Sequence, residues 1–143
     1  MLERRADGFE ISTDAERLDV ELVHRWLSTD AFWALGRSLE TVRRSVEGSV
    51  NFGVYDKQGN QVAFARVVTD LATFAWLCDV YVDHAHRRMG IGTWLTTVVR
   101  DYLAPYRLKR VMLSTLDAHE VYARAGFVPF PDPDRLMLMS FIP

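Results

Sequence analysis

The sequence has little cysteine, no long apolar run and no excess of basic residues, and each shortage excludes a class of protein. One cysteine, Cys78, stands among 143 residues, which excludes an internal disulfide framework and a multi-cysteine zinc site. A net charge of −2 gives no global positive field for nucleic acid. No segment approaches the roughly 20 apolar residues that cross a bilayer, and the first residues lack the apolar run of a signal peptide. We therefore expect a cytoplasmic protein that binds neither nucleic acid nor membrane.

What is present is the composition of an ordinary globular protein, with 49% apolar and 25% charged residues. Its length fits one domain over residues 1–143. Periodicity and turn signals predict, in order, strand Phe9–Ser12, helices Leu18–Leu27 and Ser38–Gly48, strands Val50–Val54, Gln61–Thr69 and Phe74–Val82, helix Gly90–Tyr102, strand Arg110–Ser114, helix Ala118–Ala125, and a terminal strand pair, Phe127–Phe130 with Leu136–Phe141. This β-α-α-β-β-β-α-β-α-β order predicts a single α/β (α+β) domain with a mixed central sheet.

The densest chemistry lies in the turn between the strand that ends at Val82 and the helix that follows it. Gly90 and Gly92 permit close approach of the backbone and unusual φ values. The free amides and dipole of the helix N-terminus attract an anion, and Arg87 and Arg88 add positive charge. A diphosphate is the ligand that such a turn favours, whereas a bland turn with a solvated charge pair is the alternative. Neither Gly-x-x-x-x-Gly-Lys-Ser/Thr nor Gly-x-Gly-x-x-Gly is present here.

Two segments together resemble a known family. Arg87-Arg88-Met89-Gly90-Ile91-Gly92 is similar to the Arg/Gln-x-x-Gly-x-Gly/Ala signature of the GCN5-related N-acetyltransferases (GNAT). Further along, Thr115–Phe127 resembles the family's Asn-x-x-Ala-x-x-(apolar)-Tyr-x-x-x-Gly-Phe, with Thr115 where asparagine is frequent. The strand and helix order matches over nearly the whole chain. The resemblance implies a GNAT-type domain whose fourth and fifth predicted strands splay apart around acetyl-CoA, the co-substrate.

The resemblance also assigns the residues that would hold acetyl-CoA. The backbone of Val80 and Val82 would bind the pantetheine arm. The backbone amides that would cradle the pyrophosphate belong to Arg88, Gly90, Ile91, Gly92 and Thr93. The side chains of Arg87 and Arg88 would add charge or reach the adenosine 3′-phosphate. No metal site is expected, since His84 and His86 are better explained as solvated or phosphate-adjacent groups.

Three residues are candidates for the chemistry. Tyr122 matches the family's usual general acid, which gives its proton to the departing thiolate; the alternative is a tyrosine that anchors its helix to the sheet. Asp79 could accept the proton of the amine or pair with a cationic substrate, unless it simply pairs with a basic neighbour. His119 lies one helical turn before Tyr122 and could relay protons, or it could pack against the neighbouring strand.

The acceptor side is expected at the connection between the first two helices, which carries Phe32 and Trp33. With Asp79 and Tyr81 they could form a pocket for a small cationic or aromatic amine, whereas Trp26 fits the core. The sequence therefore predicts an N-acetyltransferase that transfers an acetyl group to a primary amine of a small molecule. A catalytically idle acyl-CoA-binding regulatory module on the same fold is the alternative. A homodimer is a further possibility that the family suggests.

Overall fold

A computed structural model describes residues 1–143 and shows one mixed sheet with helices on both faces. The elements are β1 (Leu2–Arg4), β2 (Glu10–Ser12), α1 (Val20–Thr29), α2 (Leu39–Glu47), β3 (Val50–Tyr55), β4 (Gln61–Thr69), β5 (Phe74–Val82), α3 (Ile91–Leu103), β6 (Arg110–Met112) and α4 (His119–Arg124). Single 3₁₀ turns occupy Ala15–Arg17, His84–His86, Ala104–Tyr106 and Pro133–Arg135. No helix is long and apolar enough to cross a bilayer.

The two N-terminal helices begin at the residues that their capping signals indicate. The Asp19 carboxylate accepts a hydrogen bond from the Leu22 amide at the start of α1. Ser38 Oγ accepts one from the Thr41 amide at the start of α2. Each bond satisfies an amide that the helix itself leaves without an acceptor.

The six strands follow one another in the sheet in chain order, β1 to β6. All neighbouring pairs are antiparallel except β5 and β6, which are parallel. The parallel ladder is short, because it joins only Phe74–Trp76 to Arg110–Met112. The rest of β5, from Leu77 to Val82, therefore has no strand partner on that side.

Each face of the sheet has its own apolar core. The larger core lies between the sheet and α3, where Leu95 and Val99 meet Phe52 and Leu77. The smaller core lies on the other face, under α1 and α2, and consists of Val23, Leu27, Ala31, Ala34, Val42, Phe64 and Tyr81. The segment between α1 and α2 thus lies over the β5 end of the sheet, which is where the site forms.

A β-bulge in β5 determines which face each of its side chains meets. Phe64 of β4 pairs with Tyr81, but Arg66 pairs with Cys78, so β5 carries one extra residue. Asp79 sits in this bulge with a left-handed φ of 53°. Leu77 packs in the α3 core, whereas Tyr81, four residues later, packs in the α1–α2 core. Without the extra residue, strict alternation would place both side chains on the same face.

The predicted terminal strand pair is wrong. Phe127–Phe130 and Leu136–Phe141 form no strand, and the chain after α4 contains only the 3₁₀ turn at its prolines. Conversely, β1 was not predicted, because Leu2-Glu3-Arg4 has no apolar alternation. Its residues are all exposed, and the strand forms by backbone pairing with β2. The element order therefore begins with two strands and ends with α4.

Candidate active site

One open cavity of about 710 Å³ lies at the end of β5. Such a volume suits a small-molecule ligand. Its walls come from the α1–α2 connection, β5, the turn before α3 and the start of α4. The lining residues are Asp30, Ala31, Phe32, Trp33, Val80, Tyr81, Val82, His86, Arg87, Arg88, Gly90, Ile91, Gly92, Thr93, Asp117, Ala118, Val121 and Arg124. All the residues predicted to hold acetyl-CoA are among them.

The turn before α3 offers unpaired backbone amides to this cavity. Arg88 and Gly90 both have left-handed φ values, 65° and 74°. Gly90 is the N-cap of α3 and provides no side-chain cap. The amides of Gly90, Ile91, Gly92 and Thr93 donate no hydrogen bond to any backbone carbonyl. A glycine at position 90 meets the φ requirement without strain, and the free amides can bind an anion.

The two neighbouring arginines differ in what they contact. Arg87 Nε donates to the Val82 carbonyl at 2.9 Å, and its guanidinium lies 5.3 Å from the centre of the Tyr81 ring. Arg88 forms no ion pair, and neither does Arg124 across the cavity. Arg87 is therefore tied to the wall, while Arg88 and Arg124 have free charge for an anionic ligand.

Asp79 does not line the cavity and lies behind it in a saturated set of bonds. Its Oδ1 accepts from Trp33 Nε1 at 2.8 Å, and its Oδ2 accepts from Arg37 Nη1 at 2.8 Å and Arg66 Nε at 2.6 Å. Its side chain is only 2% exposed. Burial raises the pKa of Asp79, but hydrogen bonding and charge from Arg66 and Arg37 outweigh it and hold the pKa below its usual 3.8. This arrangement favours the alternative in which Asp79 pairs with basic neighbours over the one in which it accepts the proton of the amine.

A second carboxylate, Asp30, stands on the cavity wall itself. Its Oδ2 accepts from the Tyr81 hydroxyl at 2.7 Å, from His84 Nε2 at 2.8 Å and from Arg87 Nη2 at 3.4 Å. The hydrogen bonds from Tyr81 and His84 lower the pKa of Asp30. Burial and the Asp30 carboxylate raise the pKa of Tyr81 to about 12. Asp30 is therefore an ionised group at the cavity, and Tyr81 is a neutral donor.

The aromatic residues of α1 and of the α1–α2 connection divide between the cavity wall and the core. Phe32 and Trp33 line the cavity, are exposed, and meet edge to face with centroids 5.1 Å apart. Trp26 instead stacks on the Tyr81 ring at 5.3 Å and packs against the smaller core. The bond from Trp33 to Asp79 fixes the indole relative to β5.

Tyr122 is half-buried on α4 and packs against the larger core, edge to face with Phe127 at 6.0 Å. Burial, and then the nearby Asp117 carboxylate, raise the pKa of the Tyr122 phenol. Its hydroxyl donates to no protein acceptor, and it is not a buried unsatisfied group either. The side chain is therefore neutral at physiological pH and has a hydrogen-bond donor to spare.

Neither Tyr122 nor the remaining predicted residue, His119, is among the residues that line the cavity, and His119 is exposed at the first position of α4. The N-cap of this helix, Ala118, makes no side-chain capping hydrogen bond. Asp117 does not cap α4; Thr115 Oγ1 accepts the Ala118 amide at 3.0 Å instead. Asp117 lies on the cavity wall.

Sequence reasoning missed three charged residues of the cavity, Asp30, Asp117 and Arg124. Arg124 lies inside the second family-like segment, two residues before Gly126, and its spacing from Val121 places both on one side of a helix. Asp30 directly follows α1, and no sequence motif marks it as a site residue. It meets Tyr81 and His84 only through the fold, more than 50 residues along the chain.

An open cavity that joins free helix N-terminal amides to an aromatic, carboxylate-bearing wall defines a site for a small molecule with an anionic part. Comparison with known proteins specifies the class. The sequence profile of the acetyltransferase (GNAT) family matches residues 20–127. A Xanthomonas campestris pv. campestris protein, assigned provisionally as an acetyltransferase of the GNAT family, is 43% identical; the match covers 93% of each chain with a TM-score of 0.88.

Two further relatives are more distant. A Gibberella zeae protein with a provisional acetyltransferase assignment is 29% identical over 80% of this chain and 75% of its own. The spermidine N-acetyltransferase of Vibrio cholerae, solved with CoA and spermine, is 18% identical and covers 85% of this chain and 81% of its own. Its TM-score of 0.68 indicates a shared fold. This chain belongs to the GNAT family of acetyltransferases, which use acyl-CoA as donor, and the predicted family resemblance is confirmed.

Proposed function

We propose that this protein transfers an acetyl group from acetyl-CoA to the primary amine of a small molecule, with Tyr122 as the general acid. The single observation that carries the proposal is the cavity that places the free amides of the α3 N-terminus and the α1–α2 aromatic wall around one end of β5. An anionic donor and an apolar or cationic acceptor can therefore meet at one strand.

Two features support the donor assignment. The stretch of β5 after Trp76 has no strand partner on one side, which leaves backbone groups of Val80 and Val82 for a pantetheine arm, apart from the Val82 carbonyl that accepts from Arg87. The amides from Gly90 to Thr93, with the uncommitted charges of Arg88 and Arg124, suit a pyrophosphate and an adenosine phosphate. Arg87 then serves mainly to hold the turn against β5.

The charge of Asp30 and the exposed rings of Phe32 and Trp33 support the assignment of the acceptor side. Asp30 stays ionised because its pKa is lowered, so it attracts an ammonium group to the cavity. Phe32 and Trp33 present exposed rings beside it, and such rings bind apolar groups and cations. A small amine with a second cationic or an aromatic part meets these demands best.

The reaction proposed is direct attack. The neutral amine nitrogen forms a bond to the thioester carbonyl carbon, the carbon–sulfur bond breaks, and the sulfur leaves with the electron pair. Tyr122 gives its phenolic proton to that sulfur and regains one from solvent. Its raised pKa keeps the phenol protonated throughout the physiological range, so the donor is present in every enzyme molecule.

Neither Asp79 nor Asp30 suits the role of acceptor for the proton of the attacking amine. Asp79 lies behind the cavity and not on its wall, and both carboxylates have lowered pKa values, which makes them weak bases. We therefore assign Asp79 a positioning role, since it holds Trp33 and Arg37, and propose that water in the open cavity carries the proton to a base in bulk solvent. His119 remains a candidate for relaying it.

A thiol-release assay tests the proposal, with acetyl-CoA and a panel of polyamines, amino acids, aromatic amines and aminosugars. We expect turnover with at least one amine, and kcat about 100-fold lower in Tyr122→Phe with the Kd for CoA little changed. Tyr106→Phe, which alters an exposed tyrosine outside the cavity, is the matched control. Binding of CoA without turnover on any amine would indicate the idle module instead. An unchanged kcat in Tyr122→Phe would reject the acid role alone.

A further inference from the structure

The loop that joins β1 to β2 carries an arginine that the proposed reaction does not use. The family profile begins at residue 20, so it assigns no role to this hairpin. The backbone of Arg5 is fixed within the loop, because its amide donates to the Phe9 carbonyl at 2.8 Å and its carbonyl accepts from the Gly8 amide at 3.0 Å. The Arg5 side chain is only 22% exposed. Its charge is therefore held largely inside the protein, away from the cavity.

The guanidinium of Arg5 is held in one orientation. Its Nε and Nη2 donate to the two carboxylate oxygens of Asp7 at 2.9 and 2.8 Å, a bidentate fork that a guanidinium forms and an ammonium cannot. Its central carbon lies 5.2 Å from the centre of the Phe9 ring and 5.1 Å from the centre of the Trp94 ring. Both distances are within the range at which a cation is attracted to an aromatic ring. Phe9 and Trp94 belong to the larger core and its edge, so they provide a firm support.

This guanidinium lies behind the turn Arg88–Thr93, here called the donor turn. Asp7 occupies Nε and Nη2, and the remaining nitrogen, Nη1, lies 3.8 Å from the position that a Cβ on Gly90 would take. Trp94 is in the first turn of α3, and its amide donates to the Gly90 carbonyl at 3.0 Å. Arg5 does not line the cavity. It therefore meets the donor turn from outside the cavity, through Gly90 and Trp94.

The placement of Arg5 does not favour α3 itself. A helix N-terminus is the positive end of the helix dipole, so a cation beside it is unfavourable. The Asp7 carboxylate compensates part of this charge, but it is 49% exposed and so partly screened by water. An anion bound at the donor turn reverses the balance, because the free amides and the cation behind them then both attract it. The arrangement suits an occupied donor turn better than an empty one.

We propose that Arg5 is a positioning residue for the donor turn. Its fixed guanidinium supports Gly90 and the N-terminus of α3 in the conformation whose amides bind the pyrophosphate of acetyl-CoA. Because glycine adopts many backbone conformations, the left-handed φ of Gly90, 74°, gains from a rigid neighbour. The inference rests on the proposed function, since it takes acetyl-CoA as the ligand of the turn.

The affinities of CoA and pantetheine separate this role from a general role in stability. Pantetheine lacks the pyrophosphate, so it does not reach the donor turn. We expect Arg5→Ala to raise the Kd for CoA in calorimetry by about 10-fold, the lower end of what loss of an orienting partner costs a metal site. The Kd for pantetheine, measured by competition with CoA, should not change. Arg4→Ala is the matched control, because this neighbouring side chain is 72% exposed, and it should leave both Kd values unchanged.

A second variant, Arg5→Lys, separates geometry from charge and is the milder change if Arg5→Ala lowers stability. Lysine keeps the charge but cannot form the fork to Asp7, so it should still bind CoA several-fold more weakly than wild type. Circular dichroism checks that each variant is folded. Wild-type affinity in Arg5→Lys, an unchanged Kd for CoA in Arg5→Ala, or an equal loss for CoA and pantetheine would overturn the role of Arg5 alone. Failure of the wild-type protein to bind CoA would instead reject the donor assignment, and the role of Arg5 with it.

Discussion

Asp79 combines a buried carboxylate with a backbone conformation that few residues adopt. Its left-handed φ places the carboxylate on the α1–α2 side of β5, where Arg37 and Arg66 neutralise it. Removing one member of a buried ion pair leaves the others without compensation, which is among the more destabilising changes available to a protein. The effect should therefore be visible in stability before it is visible in catalysis.

We expect Asp79→Asn to lower the free energy of unfolding at pH 7 by about 3 kcal/mol. Because the pKa of Asp79 is depressed in the folded state, its contribution is present above the unfolded pKa and disappears as pH falls through the folded pKa. The difference between wild type and variant should thus shrink below about pH 4. Urea denaturation at several pH values measures it.

The control for this change is Asp132→Asn, which removes an exposed ion pair with Arg135. Such pairs contribute about 0–1 kcal/mol, so its unfolding curve should stay close to wild type. Equal losses in the two variants, or a difference that grows as pH falls, would contradict the account of Asp79.

At the residue scale, the sequence predicts those site residues whose position depends on a local pattern. Arg87, Arg88 and the four residues from Gly90 to Thr93 line the cavity as expected, because a glycine turn and a helix start are local features. Asp79 and Tyr81 were expected in one pocket with Phe32 and Trp33. Both meet the α1–α2 side, but only Tyr81 lines the cavity. The face that they meet is set by the bulge, which depends on pairing with β4, and the arginines around Asp79 come from distant parts of the chain.

At the element scale, the turn before α3 separates two roles of glycine. Gly90 has a left-handed φ of 74°, so any side chain there is strained. Gly92 has no such φ, and a Cβ at this position would only touch the Val82 side chain at 3.9 Å. The first glycine is required by the fold, and the second leaves room beside the cavity.

Gly90→Ala should therefore destabilise the protein by about 1–2 kcal/mol, whereas Gly92→Ala should be neutral or gain up to about 1 kcal/mol from its place in the first turn of a helix. Chemical denaturation of the two variants in parallel provides the comparison, each serving as the other's control. Similar losses at both positions would show that the backbone conformation of Gly90 is not the cause.

Helices and strands were predictable where the apolar periodicity is strong. They were not predictable where pairing with another strand decides whether a strand forms. Strands β4 and β5 have the predicted bounds, since alternation and turn residues mark both ends. The C-terminal segment Leu136–Ile142 has an equally strong apolar pattern, yet it forms no strand. A sequence pattern indicates that a segment suits a strand, but not which edge receives it.

At the scale of the whole molecule, the proposed function divides the cavity into a donor half and an acceptor half. The turn, α3 and α4 supply the amides and the free arginines, whereas the α1–α2 connection supplies the rings and Asp30. A ligand that binds the donor half should stabilise the folded chain by mass action, since the half-site does not exist in the unfolded state.

We expect CoA at about 100 times its Kd to stabilise the fold by about 2.7 kcal/mol, which raises Tm by about 10 °C for a chain of this size. In Arg124→Ala the same CoA concentration should give a smaller rise, with Tm of the free protein unchanged because Arg124 is exposed and unpaired. Arg135→Ala, outside the cavity, is the control and should keep the full rise. A shift unaffected by Arg124→Ala would remove this residue from the donor site.

The bulge in β5 has a consequence for how this strand tolerates change. One extra residue shifts the phase of the alternation. Leu77 before it and Val80 and Val82 after it all pack against the α3 core, whereas Tyr81 meets the opposite face. A substitution at Asp79 alters one side chain. A deletion of one residue would restore the phase and turn Val80, Tyr81 and Val82 together to the wrong sides of the sheet. The chemistry of this end of the strand therefore depends on the number of residues that precede it as much as on their identity.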